Sequence, residues 1–272
     1  MLGASRTSNA ALQESLVAQY DSGNASGFSE AGRGLFEVVN LLGGERALRT
    51  TLADPAISTD AKTGVVDRLL DGKVSALAID ILKQIVGYRW SSDADMVDAV
   101  EEAGVTLVLM AAEGDGNIDR VEEELFRFGR AIDANPDLQM ALTDPASSPE
   151  VKSGIVTTLL EGKAADETIL LVGQVAGSLR GRRIQDAVTR LSELAAGRRG
   201  RIIAEVRSAI GLTDEQQSRL AAALAALHGR EVELNIAIDP AVIGGIEVRI
   251  GDEVIDGTAA TKLEQARRKL AG

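Results

Sequence analysis

Residues 52–73 read LADPAISTDAKTGVVDRLLDGK, and residues 142–163 read LTDPASSPEVKSGIVTTLLEGK. The two stretches lie ninety positions apart and agree at 12 of 22 positions without a gap. The identical pairs include Asp54/Asp144, Pro55/Pro145, Ser58/Ser148, Lys62/Lys152, Gly64/Gly154 and Gly72/Gly162. The match spreads outward to Leu35-Phe36 against Leu125-Phe126, Leu48 against Leu138, and Gln84 and Gly87 against Gln174 and Gly177. Self-similarity of this extent marks a duplicated module, and duplicated modules usually present surfaces to partners rather than enclose one catalytic cleft.

Each copy reads as helices. In copy one, Asp54-Pro55 stops one helix and starts the next, because Pro disfavours helix at the residue before it and suits a first turn. Ser58 and Thr59 can cap Ala61–Leu70, and Asp71-Gly72 ends that helix. In copy two the spacing predicts helices over 101–113, 119–133, 166–179 and 183–196, with a turn at 114–117. Leu125, Phe128 and Ile132 form one apolar stripe, and Ile184, Val188 and Leu191 another. The period then changes. Residues 201–210 are a strand candidate, Thr213–Gln216 is a capping box, and an Ala-rich helix follows over 214–227. Val232, Leu234, Ile236 and Ile238 alternate as a half-buried strand, as do Ile246, Val248 and Ile250. Gly251-Asp252 suits a two-residue hairpin turn, and 259–270 reads as a closing helix. The expected fold is mainly α: two tandem helical bundles, 1–92 and 93–196, followed by a small α+β domain, 197–272.

Composition narrows the function. The chain has 272 residues, 45% hydrophobic but only 3% aromatic, which suits Leu/Val/Ile/Ala cores between helices. The net charge of −12 disfavours nucleic acid. Charge is uneven: residues 1–179 hold 14 basic and 28 acidic side chains, whereas 180–207 hold eight Arg and three acids. With no cysteine and one histidine, thiolate and multi-histidine metal sites are excluded, and no metal or cofactor is expected. No signal peptide or apolar run of membrane-spanning length is visible, so membrane contact is expected only through partners.

Individual motifs have plain readings. Asp54 and Asp144 begin helix junctions rather than form a carboxylate pair, so no catalytic residue is assigned. Glu113–Asp119 lacks the spacing and terminal Glu of a calcium loop. Gly244-Gly245 and Gly251 have no Gly-Lys-Ser/Thr after them and are not a phosphate loop. His228 sits at a helix end. Arg180, Arg182, Arg183, Arg190, Arg198, Arg199, Arg201 and Arg207 read as a charged hinge or as a dock for the acidic end of a partner helix. Trp90 is either a contact anchor or a cap on the first bundle.

Residues 238–257, IDPAVIGGIEVRIGDEVIDG, resemble the carboxyl-terminal signature of the F-type ATP synthase delta subunit, the family of the oligomycin-sensitivity-conferring protein. The matching residues are Asp239, Pro240, Ile243, Gly244, Gly245, Gly251, Asp252, Ile255, Asp256 and Gly257. The segment from Ala111 through Asp144-Pro145 to Lys152 resembles the family's helical bundle. Typical members carry one bundle. An enlarged form is familiar among actinobacterial synthases, where it can be fused to a b-type stalk subunit, and here b is expected as a separate chain. The resemblance implies a non-catalytic stator subunit on the cytoplasmic face of the plasma membrane. Its bundle would grip the amino-terminal helices of alpha subunits, and its carboxyl-terminal domain the b stalk. The family's groove, formed by the first and fifth bundle helices, falls on Ala103, Thr106, Leu107, Gln174 and Val175. The alternative is a generic helical-repeat adaptor.

Overall fold

The computed structural model describes residues 1, 3–20, 27–198, 201–228, 231–239, 242, 244–250 and 253–256. They divide into two compact units, Met1–Ser192 and Glu193–Gly272.

The first unit is helical. Its elements are α1 (Ala4–Tyr20), α2 (Phe28–Gly44), α3 (Arg46–Ala53), α4 (Thr59–Leu70), α5 (Ala76–Gly87), α6 (Asp93–Gly114), α7 (Ile118–Ala134), α8 (Pro136–Thr143), α9 (Pro149–Leu160), α10 (Asp166–Gly177) and α11 (Ile184–Arg198) up to Ser192, the rest of α11 falling in the second unit. Helices α2 to α5 and α7 to α10 have identical bounds ninety residues apart. The two Asp-Pro junctions are alike in detail. The Asp54 carboxylate accepts from the Ala56 N–H at 2.8 Å, and Asp144 from Ala146 at 2.9 Å. Ser58 and Ser148 then cap α4 and α9. Asp54 and Asp144 are therefore turn-formers, which satisfy backbone donors left free at a chain reversal.

Helix α6 belongs to both copies. Met96, Val100, Ala103, Leu107 and Met110 join a continuous core with Leu12, Leu16, Leu35, Val39, Ile81 and Ile85 of the first copy. Val105, Leu109 and Ala112 are also buried but lie outside that core. At about 100° per residue they fall on the opposite side of α6, which also packs against α7 and α10. By the ninety-residue register, α6 is the sixth helix of copy one and the counterpart of α1 at the head of copy two. The crossing of α2 over α6 depends on two glycines. A Cβ on Gly32 would stand 2.6 Å from Val108 Cγ2 and 2.9 Å from the Gly104 carbonyl oxygen. A Cβ on Gly104 would stand 2.7 Å from the Phe36 ring.

Helix α1 starts at Ala4, within the first bundle expected over 1–92. Its inward face carries Ser5 and Ser8 beside Leu12 and Leu16, so the serines hide the apolar period. They are held by hydrogen bonds instead: Ser5 Oγ donates to Asp95 at 2.8 Å and Ser8 Oγ to the Arg89 carbonyl at 2.7 Å.

Beyond the end of α11, the described residues of the second unit form a four-stranded sheet with one helix. Strands β1 (Arg201–Ser208), β2 (Glu231–Ile238), β3 (Ile246–Ile250) and β4 (Glu253–Asp256) are ordered β2-β1-β3-β4. β1 and β2 are parallel, joined through α12 (Asp214–His228), and the other two pairings are antiparallel. The predicted capping box opens α12: Gln216 N–H donates to Thr213 Oγ1 and Thr213 N–H to Gln216 Oε1. One sheet face, with Ala204, Val206, Val232 and Val248, packs with Leu224 of α12. The fold is thus mainly α with a small α+β carboxyl-terminal region. The predicted turn at Gly251-Asp252 and the closing helix over 259–270 lie outside the described residues, although Ile250 pairs with Glu253 across that connection.

Candidate partner interface

The five expected interface residues are all buried by this chain's own helices. Ala103 and Leu107 sit in the core shared with copy one. Thr106 Oγ1 donates to Gln13 Oε1 of α1 at 2.8 Å. On α10, Val175 is buried, and Gln174 is buried with its Nε2 unpartnered. Helices α6 and α10 do touch, and α2 of copy one reaches α10 as well. Helical periodicity could not reveal this covering, because α6 carries two apolar faces and each looks like the inside of one bundle.

Trp90 is a cap on the first bundle. It is 5% exposed, belongs to the copy-one core, and donates from Nε1 to the Ile85 carbonyl at 2.8 Å. Tyr88 meets it edge to face, with ring centroids 6.4 Å apart.

The arginine block is largely committed inside the molecule. Glu101 of α6, 5% exposed, takes a bidentate pair from Arg182 at 2.7 and 2.9 Å, and Arg180 bonds it too. Arg180 also reaches Asp98 at 3.0 Å, and Arg190 reaches Glu102 at 3.5 Å. A planar guanidinium matches a carboxylate in this two-bond geometry. Burial pushes the Asp98 carboxyl up, and Arg180 and Arg182 offset only part of that. Arg180 holds φ +50°, alone among the described non-glycine residues. Such backbone persists where surrounding contacts over-determine it, and here two carboxylates do so. These arginines tie the α10–α11 connection to α6; they are not a free dock. Arg199 lies outside the described residues.

The copies also differ in how the fifth helix is capped. Ser75 caps α5 through its own hydroxyl. The matching residue before α10 is Ala165, which has no side-chain acceptor. Glu124 of α7 supplies one from outside, accepting from the Ala165 N–H at 2.8 Å and Thr168 Oγ1 at 2.6 Å. Burial alone would raise the Glu124 carboxyl. Its bonds from Thr168, Ala165 and Arg120 outweigh that and hold it below the ordinary range. The matching position in copy one is Gly34, where a Cβ would stand 3.1 Å from Val74.

In the second unit, the signature loop carries the chain from β2 past the end of β1 to β3. The Asp239 N–H donates to the Ser208 carbonyl at 2.8 Å, and the Asp239 carboxylate takes Arg207 at 2.5 Å. Gly244 and Gly245 then turn with φ +64° and +86°, a conformation that only glycine adopts without strain. Ile255 pairs with Val248 and Asp256 with Glu247 across β3–β4. Pro240, Ile243, Gly251, Asp252 and Gly257 lie outside the described residues. His228 ends α12.

Among the described residues no group of three or more His, Cys, Asp or Glu is placed to hold a metal ion. No helix among them is long and apolar enough to cross a membrane.

The family model "ATP synthase delta (OSCP) subunit" matches residues 106–270. The ATP synthase subunit delta of Streptomyces griseus is 43% identical over 272 residues, covering all of both chains. Those of Thermobifida fusca and Nocardia farcinica are each 42% identical, again over the full length of both. The chain belongs to the ATP synthase delta (OSCP) family, and is a structural, non-catalytic stator subunit of the F-type ATP synthase. The family model begins inside α6, so it covers copy two and the sheet. Copy one is shared with the full-length relatives.

Proposed function

We propose that the chain joins the alpha/beta hexamer to the b-type peripheral stalk, from the cytoplasmic face of the plasma membrane. The helical unit holds amino-terminal helices of alpha subunits, and the sheet unit holds the end of b. Residues 1–92, 93–196 and 197–272 act as three functional parts, with α6 common to the first two. The observation that carries this reading is the family match over 106–270. The internal ion pairs of Arg180 and Arg182 support it, because a joint under torque gains from connections pinned at both ends. The covering of Ala103, Thr106 and Leu107 moves the grip on alpha away from these side chains, to surfaces the bundles leave open.

Tagging the chain in its native cell and identifying what copurifies from detergent-solubilised membranes tests the proposal. Alpha, beta and b subunits in fixed proportion are expected. A tagged chain recovered free of them would overturn it in favour of a helical adaptor.

A further inference from the structure

In each copy the link between the fifth and sixth helices is tied to the head helix of its own copy, α1 in copy one and α6 in copy two. The ninety-residue register sets residues 88–92, YRWSS, against 178–182, SLRGR. Copy one closes its link with packing and neutral hydrogen bonds. Trp90 is buried, Ser8 Oγ of α1 donates to the Arg89 carbonyl, and the Ser91 N–H donates to Ser5 Oγ at 2.7 Å. Two ion pairs stand at the start of α6 beside these bonds, Arg49 on Asp93 at 2.8 Å and the amino terminus on Asp95 at 3.9 Å.

Copy two carries charge at the matching positions. Arg180 stands for Trp90, Arg182 for Ser92, Asp98 for Ser8 and Glu101 for Ala11. Residues 180–183, RGRR, have no apolar side chain, and half-buried Leu179 and buried Ile184 hold only the two ends. Between those ends the ties to α6 are the ion pairs of Arg180 and Arg182 with Asp98 and Glu101. Arg183, Asp186, and Arg190 with Glu102 are the other charges of this corner. The backbone is not at rest here. Arg180 at φ +50° is followed by Gly181 at φ +81°, and an arginine leaves the left-handed region unless its surroundings hold it there.

We propose that the α10–α11 link is a clasp held shut by charge, which rising ionic strength opens at residues 180–183 while the matching link of copy one stays closed. Mobile ions reach it because the Arg182 and Asp98 side chains are 37% and 44% exposed. Glu101, 6% exposed, is the part that salt screens least and that keeps the clasp shut in dilute salt. Opening gives two carboxylates and two guanidinium groups to the solvent, where dissolved ions stabilise them, and frees Arg180 from its left-handed backbone. Opening the copy-one link would instead bring the Trp90 indole into water, which salt does not favour. The clasp belongs to the chain itself and stands apart from the stator reading.

Amide exchange of the full chain, read residue by residue, tests this in about 0.1 M and about 1 M NaCl, between which the screening length falls from about 10 Å to about 3 Å. The reporters are the Arg182 N–H, bonded to the Leu179 carbonyl, and the Ala187 N–H, bonded to the Arg183 carbonyl. The Ser91 and Met96 N–H groups, bonded to Ser5 Oγ and the Ser92 carbonyl, are the copy-one controls. After correction for intrinsic rates, the reporters should exchange at least about fivefold faster in the higher salt, and the controls less than about twofold. Glu101→Gln should leave the reporters fast at both salt levels. Asp98→Asn removes one partner at a half-exposed side chain, makes no demand on the core, and should cut the salt response by about half or more. Trp90 fluorescence checks that the helical unit stays folded throughout. Equal responses at the two links, no response at Arg182 and Ala187, or a parent-like response in Asp98→Asn would overturn the proposal.

Discussion

Gly32→Ala probes the helix crossing on which the first core depends. The added methyl carbon would lie 2.6 Å from Val108 Cγ2 and 2.9 Å from the Gly104 carbonyl oxygen. Val108 could rotate away, but the carbonyl belongs to the α6 backbone and cannot. Ordinary contact begins near 3.4 Å, so α2 and α6 must separate by roughly half an ångström. That loosens the packing around Leu35, Phe36 and Val39, all buried along α2. Overpacking of this kind costs about 1–3 kcal/mol, and a rigid obstacle places it near the top of that range. Alanine returns about 1 kcal/mol through its better helix propensity. The net expectation is a loss of about 2 kcal/mol. Gly64→Ala supplies the opposite sign, because a Cβ there meets nothing within 4 Å and only the propensity gain of about 1 kcal/mol remains. Trp90 is the sole tryptophan and lies in this core. Its fluorescence during urea unfolding therefore reports on the helical unit. A Gly32→Ala chain as stable as the parent would refute the reasoning, as would equal shifts for the two alanines.

Other expectations follow from the contacts described above. Glu101→Ala leaves Arg180 and Arg182 without their buried partner and should cost about 2 kcal/mol, less than a fully buried pair because Arg182 is partly exposed; a loss under 0.5 kcal/mol in urea would contradict it. The depressed pKa of Glu124 means its contribution is complete above the unfolded carboxylate range, about pH 4.3, and disappears as pH falls through the lower folded value. Glu124→Gln should therefore narrow its stability gap to the parent on acidification, and a gap constant from pH 7 to pH 3 would dismiss that role. Asn9 buries Oδ1 without a partner. Asn9→Ala should thus raise the melting temperature, since an unmet buried acceptor costs about 1–3 kcal/mol, whereas a lowered one would mean the amide is satisfied.

The repeat made most of the helical unit legible, because Pro, Gly and Ser at matched positions dictate the same breaks twice. The crossover was not legible: the spacing of Gly244 and Gly245 does not show a chain that runs from β2 past β1 to β3. Nor was the double use of α6. A helix buried on two sides has no polar face to show which stripe meets which partner. The interface residues drawn from α6 thus fell on a surface that copy one covers. Nor could sequence show that Glu124 holds the start of a helix forty residues away through the Ala165 N–H and the Thr168 hydroxyl, where copy one has a serine on the Ala78 N–H. That exchange involves Gly34/Glu124, Ser75/Ala165 and Ala78/Thr168 together, and each substitution alone looks like drift.

Helix α6 has 22 residues, a rod of about 33 Å, and both bundles are built on it. Sliding one bundle past the other would mean bending that rod rather than flexing a loop. No proteolytic cut near residue 92 can yield two intact halves, because the first would lose its sixth helix. The duplication added five helices rather than six, and a third copy could be spliced on in the same way. The helical unit can thus lengthen in steps of ninety residues with no loop between its bundles to act as a hinge.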